Sequence, residues 1–96
     1  MLKKSYSKTK RSCRVTFKLP TEGEEVALLG EFNEWQQDAH PMIKRKDGTF
    51  SITISLDSGK DYRFRYLKDG EDWLNDEAPD AYVLNRYGSQ DCVVSI

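Results

Sequence analysis

Residues 49–56, TFSITISL, carry the most regular pattern in the chain. Apolar residues alternate there with Thr and Ser, and a period of two places the two sets on opposite faces of a β-strand. The apolar face carries Phe50, Ile52, Ile54 and Leu56. The dipeptide Asp47-Gly48 precedes this strand and favours a tight turn. The stretch therefore predicts a hairpin over residues 41–56 with one face buried.

Further short strands are predicted on both sides of this hairpin. CRVTFKLP (13–20) places Val15, Phe17 and Leu19 on one face, and Pro20 ends the strand. Three more segments follow the same logic, namely EVALLGE (25–31), YRFRYLK (62–68) and DCVVSI (91–96). No window of about a dozen residues repeats its apolar positions with a helical period. Six or seven short strands predict an all-β sandwich, with a small barrel as the competing architecture.

Length and composition indicate one soluble globular domain. The chain has 96 residues, 38% hydrophobic and 32% charged, with 15 Lys and Arg against 16 Asp and Glu. That balance argues for no particular partner. The basic start lacks the ~7–15-residue apolar stretch of a secretory signal, and no ~18-residue apolar run follows. We therefore expect a cytoplasmic protein without a membrane partner.

Charge is unevenly distributed along the chain. The first twenty residues hold seven Lys or Arg and no acid, whereas residues 69–80 hold six acids and no base. We expect residues 1–11 to form a flexible basic tail and residues 12–96 to form the folded domain. Contact of the tail with nucleic acid is the alternative, and we do not include nucleic acid among the expected partners.

The two cysteines do not indicate a metal site or a cofactor. Cys13 and Cys92 could meet only if the first and last strands were neighbours, and in a cytoplasmic protein we expect both to be reduced. A zinc site would need two more ligands, and the chain has one histidine. We expect no metal and no cofactor.

No arrangement of residues indicates catalysis. His40 is the single histidine, and no serine or cysteine can be argued to lie beside it. The acids of residues 71–80 could supply two carboxylates, but a domain this small rarely encloses the deep groove of a glycosidase. DGEDWLNDEAPD (69–80) does not match a calcium loop, because its glycine is second rather than sixth. We therefore expect a binding protein, not an enzyme.

Four aromatic residues lie in segments predicted to be loops or sheet edges, namely Trp35, Trp73, Tyr82 and Tyr87. Such rings either cap the core or contact a ligand. A sugar has an apolar face that packs on an aromatic ring and hydroxyls that need directional donors. Alternation places Arg63 and Arg65 on the face opposite Tyr62, Phe64 and Tyr66, so a guanidinium could lie beside the exposed rings.

The order of motifs resembles a known family. VALLGEFNEWQQDAHPM (26–42) resembles the V-x-L-x-G-x-F-N-x-W opening of the family 48 carbohydrate-binding modules. These modules include the glycogen-binding domain of the AMP-activated kinase β subunit and the N-terminal domains of isoamylases and branching enzymes. The resemblance continues through DGTFSITISLDSGKDYRFRYLKDGEDWLND (47–76) and YGSQDCVVSI (87–96), and covers about residues 12–96. It implies an immunoglobulin-like, early-set sandwich, similar to the stand-alone bacterial versions.

The resemblance also implies a site for an α-1,4-glucan such as glycogen or starch. Trp35 and Trp73 match the family's two stacking tryptophans, and Arg65 matches a sugar-contacting lysine. Tyr87 stands where a leucine wedges into the glucan, Ser89 where a threonine lies, and Asp91 where an asparagine contacts hydroxyls. Two departures follow: Asp91 lacks the amide donor, and one extra residue between Gly70 and Trp73 could displace the second ring.

Two other motif residues are predicted to act within the fold. We expect Phe32 to pack against the core and Asn33 to hold the turn through hydrogen bonds to the backbone. For Trp35, stacking on a glucan and capping the core remain the two interpretations. For the whole chain, the alternative to glucan binding is a protein-interaction module that regulates a glycogen-metabolising enzyme or a kinase.

Overall fold

A computed structural model describes residues 2–96, which form nine β-strands and one short 3-10 turn over Glu31–Asn33. The strands are β1 (Leu2–Tyr6), β2 (Ser12–Pro20), β3 (Val26–Gly30), β4 (Ile43–Lys44), β5 (Thr49–Asp57), β6 (Asp61–Lys68), β7 (Asp72–Leu74), β8 (Ala81–Leu84) and β9 (Gln90–Ser95). The regular secondary structure of the described chain is therefore almost entirely β, as the period-two pattern predicted.

The strands form two antiparallel sheets that pack face to face. One sheet has the order β1-β2-β5-β4, and the other has the order β3-β6-β9-β8 with β7 paired to β6. This two-sheet arrangement is an immunoglobulin-like β-sandwich, which confirms the predicted fold class. The competing barrel is excluded because the two sheets are separate.

The core lies between the sheets and consists of the faces that alternation predicted. Val15, Phe17 and Leu19 of β2 are buried against Phe64 and Tyr66 of β6 in one hydrophobic cluster. The rings of Phe17 and Phe64 meet edge to face with their centroids 5.0 Å apart, a favoured aromatic geometry. Cys13 and Cys92 are buried free thiols on β2 and β9, in opposite sheets.

The predicted hairpin over residues 41–56 is confirmed as β4 and β5, which pair from Ile43 opposite Ser51 to Lys44 opposite Phe50. Its turn is held by Asp47, whose Oδ1 accepts hydrogen bonds from the Thr49 backbone N–H at 3.0 Å and the Thr49 hydroxyl at 2.6 Å. These bonds lower the pKa of the Asp47 carboxyl.

The basic start differs from its prediction. Residues 2–6 are not a flexible tail but strand β1, which pairs with β2 from Leu2 opposite Phe17 to Tyr6 opposite Cys13. Leu2 packs against the core, while Lys4 bonds to the Ser95 carbonyl at 2.8 Å and to the Asp80 carboxylate at 2.7 Å. The segment is ordered because one of its faces contacts the sandwich, and Met1 lies outside the described residues.

A buried hydrogen bond fixes the segment between β7 and β8. Asp76 is 1% exposed, and its Oδ2 accepts a hydrogen bond from the Tyr66 hydroxyl at 2.7 Å. Burial raises the pKa of Tyr66, and the bond to Asp76 raises it further, so Tyr66 stays protonated as the donor. Burial also raises the pKa of the Cys92 thiol to about 11. The Asp76 N–H lies 3.1 Å from this sulfur.

We expect Tyr66→Phe to lower the free energy of unfolding by about 1–3 kcal/mol, because a buried carboxylate oxygen then loses its hydroxyl donor. Tyr62→Phe is the matched control, since the Tyr62 hydroxyl donates to the Asp57 carbonyl in an exposed position. The control should lose less than about 1 kcal/mol. Urea unfolding of both variants measures the difference, and equal losses would contradict it.

The ordered start yields a second comparison. We expect Leu2→Ala to lower the free energy of unfolding by about 1–2 kcal/mol, because it removes apolar atoms that pack on the core. Lys3→Ala should change it by less than about 0.5 kcal/mol, because Lys3 points to the exposed face of β1. A flexible start would leave both variants with the stability of the parent in a urea titration.

Candidate functional site

An open groove of about 870 Å³ lies on the outer face of the β3-β6-β9-β8 sheet. It is lined by all six residues that the resemblance to the carbohydrate-binding modules implied, namely Trp35, Arg65, Trp73, Tyr87, Ser89 and Asp91. Four further residues line it, namely Glu31, Arg63, Asn85 and Arg86. The structure thus brings together residues that are up to 56 positions apart in the chain.

The floor of the groove is the outer face of β6. Arg63 and Arg65 point outward because Phe64 and Tyr66 point into the core, as alternation predicted. The cross-strand neighbours of these arginines are Val93 and Leu29, both buried although they lie outside the inter-sheet cluster. Two cationic side chains therefore lie on a surface formed by apolar neighbours.

Trp35 is positioned by Asn33, which forms a cluster of hydrogen bonds within its own loop. The Asn33 Oδ1 accepts from the backbone N–H of Gly30 at 3.0 Å and of Trp35 at 3.1 Å. Its Nδ2 donates to the Leu28 carbonyl at 2.9 Å and to His40 Nδ1 at 2.8 Å. This confirms the turn-holding role predicted for Asn33.

The backbone at Trp35 has an uncommon conformation. Glu34 and Trp35 have φ angles of 55° and 60°, a region that costs side-chain-bearing residues free energy. Gly30 at the start of the loop cannot be replaced without a shift, since an added Cβ would lie 2.6 Å from the Arg63 carbonyl oxygen. Phe32 packs on Phe17 with ring centroids 5.9 Å apart, so it contacts the core as predicted while the half-buried Trp35 lines the groove.

Trp73 lies on β7, opposite Leu67 of β6. The extra residue before it does not remove the ring from the groove, and 44% of Trp73 is exposed. The Arg65 guanidinium carbon lies 5.6 Å from the centre of the Trp73 ring, within the range of a cation–π contact.

Asn75 orients this arginine and was missed by the sequence analysis. Its Oδ1 accepts from Arg65 Nε at 2.8 Å, and its Nδ2 donates to the Gln90 carbonyl at 3.1 Å. An asparagine two residues after a tryptophan was the available signal, but nothing in the sequence shows that it contacts Arg65.

Three walls surround the floor: the loop that carries Trp35, strand β7 with Trp73, and the turn over residues 85–89. Asn85 organises this third wall. Its Oδ1 accepts from the N–H of Tyr87 at 3.0 Å and of Ser89 at 3.1 Å. The Tyr87 ring is 80% exposed, and the Arg86 guanidinium carbon lies 5.2 Å from its centre. The turn therefore presents an aromatic ring to solvent at the edge of the groove.

Asp91 lies at the floor and is only 7% exposed. Its Oδ1 accepts from Asn85 Nδ2 at 3.1 Å, and its Oδ2 lies 3.9 Å from Arg63 Nη1. The carboxylate that replaces the family's amide is thus engaged with protein groups. Tyr82, by contrast, does not line the groove, and its hydroxyl donates to the Asp76 carbonyl at 2.6 Å.

The groove offers flat apolar rings beside hydrogen-bond donors, which is the combination that sugar rings require. Within residues 2–96 no cluster of three or more His, Cys, Asp and Glu side chains could hold a metal ion. No helix in the same part of the chain is both long and apolar enough to span a membrane.

A family model described as the glycogen recognition site of AMP-activated protein kinase matches residues 13–96. The chain belongs to this family of carbohydrate-binding modules. The match confirms the resemblance seen in the sequence motifs, and it supports carbohydrate binding as the function of the module. The family is non-catalytic.

Curated relatives of the module include three branching enzymes. The module is 33% identical over 64 residues to the 1,4-alpha-glucan branching enzyme GlgB of Aquifex aeolicus, covering 64% of this chain. It is 37% identical over 59 residues to a rice chloroplastic/amyloplastic branching enzyme, and 35% identical over 72 residues to GlgB of Photobacterium profundum, covering 54% and 72% of this chain. These matches span only 7–10% of the length of each enzyme.

The Asn33 cluster generates a prediction about the module. We expect Asn33→Ala to lower the free energy of unfolding by about 2–3 kcal/mol, because it removes two acceptor and two donor contacts of the loop. Asn33→Asp keeps the acceptors and should lose less. Urea unfolding measures stability, and Trp35 fluorescence in a Trp73→Phe background reports the loop. An unchanged Trp35 spectrum in the Asn33→Ala variant would contradict the positioning role.

Proposed function

We propose that the module binds α-1,4-glucan chains, glycogen-like or starch-like, through the groove and without catalysing a reaction on them. The observation that carries the proposal is that Trp35, Trp73 and Tyr87 line one groove from three separate segments. Membership of a glycogen-recognition family and similarity to branching enzymes support the choice of ligand. A cytoplasmic location, where glycogen is stored, is part of the same proposal.

Each wall of the groove has a distinct role in this proposal. Trp35 and Trp73 stack on the apolar faces of glucose units, while Arg65, held beside Trp73 by Asn75, donates to hydroxyls. Tyr87 and Ser89 contact the chain from the third wall. Asp91 contacts Asn85 and Arg63 rather than the sugar, because only 7% of this residue is exposed.

The open shape of the groove sets the expected affinity. An open site removes few groups from water, and every sugar hydration that is lost must be replaced by a protein contact. We therefore propose a dissociation constant of about 10 μM to 1 mM for a linear maltooligosaccharide.

Titration with maltoheptaose, against cellohexaose as the β-linked control, tests the ligand class. We expect maltoheptaose to bind, because an α-1,4 chain coils and can follow three walls, whereas a β-1,4 chain is a flat ribbon. In an NMR titration the signals of Trp35, Arg65 and Trp73 should shift together, while strand β5 stays unchanged because a preformed sandwich need not repack. Equal or absent responses to the two sugars would refute the glucan assignment.

Alanine variants test the stacking residues. We expect Trp35→Ala and Trp73→Ala each to weaken maltoheptaose binding by about 1–3 kcal/mol, the range for an anchoring aromatic. Tyr6→Ala is the control, because Tyr6 is 49% exposed and does not line the groove. A Trp35→Ala variant that loses about 3 kcal/mol or more of unfolding free energy would show that this ring serves the core instead.

A second candidate is a protein-interaction module, with a glycogen-metabolising enzyme or a kinase as the partner. The exposed side chain of Leu84, 71% accessible next to the Asn85 turn, favours it because a sugar has little use for an isolated aliphatic group there. A Leu84→Ser variant would separate the candidates. Glucan binding alone predicts no change in maltoheptaose affinity, whereas a docking role predicts loss of a purified branching enzyme or kinase in a pull-down.

A further inference from the structure

The groove contains more positive than negative side chains. Three guanidinium groups line it, those of Arg63, Arg65 and Arg86, against the two carboxylates of Glu31 and Asp91. A neutral glucan does not require such an excess, because each hydroxyl can donate as well as accept a hydrogen bond. The hydrogen bonds and ion pairs that these guanidinium groups already form therefore show which donors remain for a charged ligand.

Both carboxylates are engaged by the protein. Asp91 accepts from Asn85 and lies 3.9 Å from Arg63. Glu31 Oε1 accepts from the backbone N–H of Arg63 at 2.7 Å. These contacts lower the capacity of the groove to accept hydrogen bonds from a ligand, and they reduce its repulsion of an anion.

Two of the arginines retain unused donors. Arg65 uses Nε to bond Asn75, and within residues 2–96 its two terminal nitrogens form no hydrogen bond or ion pair. Arg86 is exposed, stacks on Tyr87 and likewise forms no ion pair in the described chain. Guanidinium groups bind phosphate oxygens through pairs of N–H donors, which is their strongest type of contact.

We propose that the groove preferentially binds α-glucan that carries phosphate monoesters. This inference rests on the proposed glucan site and adds a phosphate substituent on the bound glucan. The rings of Trp35 and Trp73 hold the glucan chain, and Arg86, with the free terminal nitrogens of Arg65, neutralises a phosphate on one glucose unit. A phosphate monoester suits these donors because it offers three acceptor oxygens and carries about 1.5–2 negative charges at pH 7.

The test compares maltoheptaose with maltoheptaose carrying one 6-phosphate, by calorimetric titration at low salt and pH 8. We expect the phosphorylated chain to bind about tenfold more tightly, the effect of a charge-assisted contact in a partly exposed site. The advantage should shrink as the pH falls below ~6, where the monoester loses one charge. It should also shrink as salt is added.

Arg86→Gln is the decisive variant, and its effect is measured as the ratio of the two affinities, because Arg86 also lines the groove beside Tyr87. It should weaken binding of phosphorylated maltoheptaose much more than binding of unmodified maltoheptaose, and so remove most of the phosphate advantage. Arg14→Gln is the matched control, with the same change of charge on the opposite sheet, and it should retain the advantage.

Two further ligands identify the chemistry that is recognised. Inorganic phosphate alone should bind much more weakly than phosphorylated maltoheptaose, since it lacks the stacked sugar. Maltoheptaose oxidised to a 6-carboxylate should gain less than the phosphate, because a carboxylate carries one charge and two oxygens. Equal gains in affinity from the phosphate and the carboxylate would show that the groove recognises any anionic glucan. That result would overturn the claim that it prefers a phosphate monoester.

The outcomes separate this inference from the proposed function. Equal affinities for neutral and phosphorylated maltoheptaose would overturn the inference and leave glucan binding intact. Absence of binding to either chain would overturn both. An advantage that survives Arg86→Gln would overturn the assignment of the phosphate to this arginine.

Discussion

The register of strand β6 is the constraint on which the groove depends. β6 pairs with β3 on one edge, and with β9 followed by β7 on the other. A slip by one residue would turn Phe64 and Tyr66 outward and bury Arg63 and Arg65, because successive side chains point to opposite faces. The cost of burying two guanidinium groups excludes this alternative. The core therefore determines which side chains the groove can offer.

The same asparagine chemistry holds each wall of the groove. Asn33, Asn75 and Asn85 each engage both ends of the side-chain amide, and each sits within two residues of an aromatic ring that faces the groove. An amide can donate and accept at once, so one side chain replaces the ladder of backbone bonds that irregular segments lack. The rings of Trp35 and Tyr87 are thus held by contacts within their own loops, whereas Trp73 lies on β7 and its neighbour Asn75 bonds to β6 and β9.

The sequence predicted the elements that follow the period of two and missed those set by contacts across the fold. β2, β5 and β6 could be predicted because their apolar positions alternate, and the burial of Phe17 and Phe64 confirms it. β1 was missed because Leu2 alone of LKKSY packs on the core, and the pairing of this strand depends on β2 and on Asp80. β7 was missed because it forms only by pairing with the end of β6 that β9 does not cover. Six groove residues came from the family motif and Arg63 from alternation, while Asn75 and Arg86 became apparent only from their contacts.

Separate anchoring of the three walls has an evolutionary consequence. A mutation or an insertion in one wall, such as the extra residue before Trp73, need not disturb the other two, because no wall depends on another for its backbone bonds. Ligand preference can therefore change one segment at a time while the sandwich stays intact. Such a domain can change its polysaccharide preference through single substitutions, because each one affects one aromatic ring and leaves the fold of the domain intact.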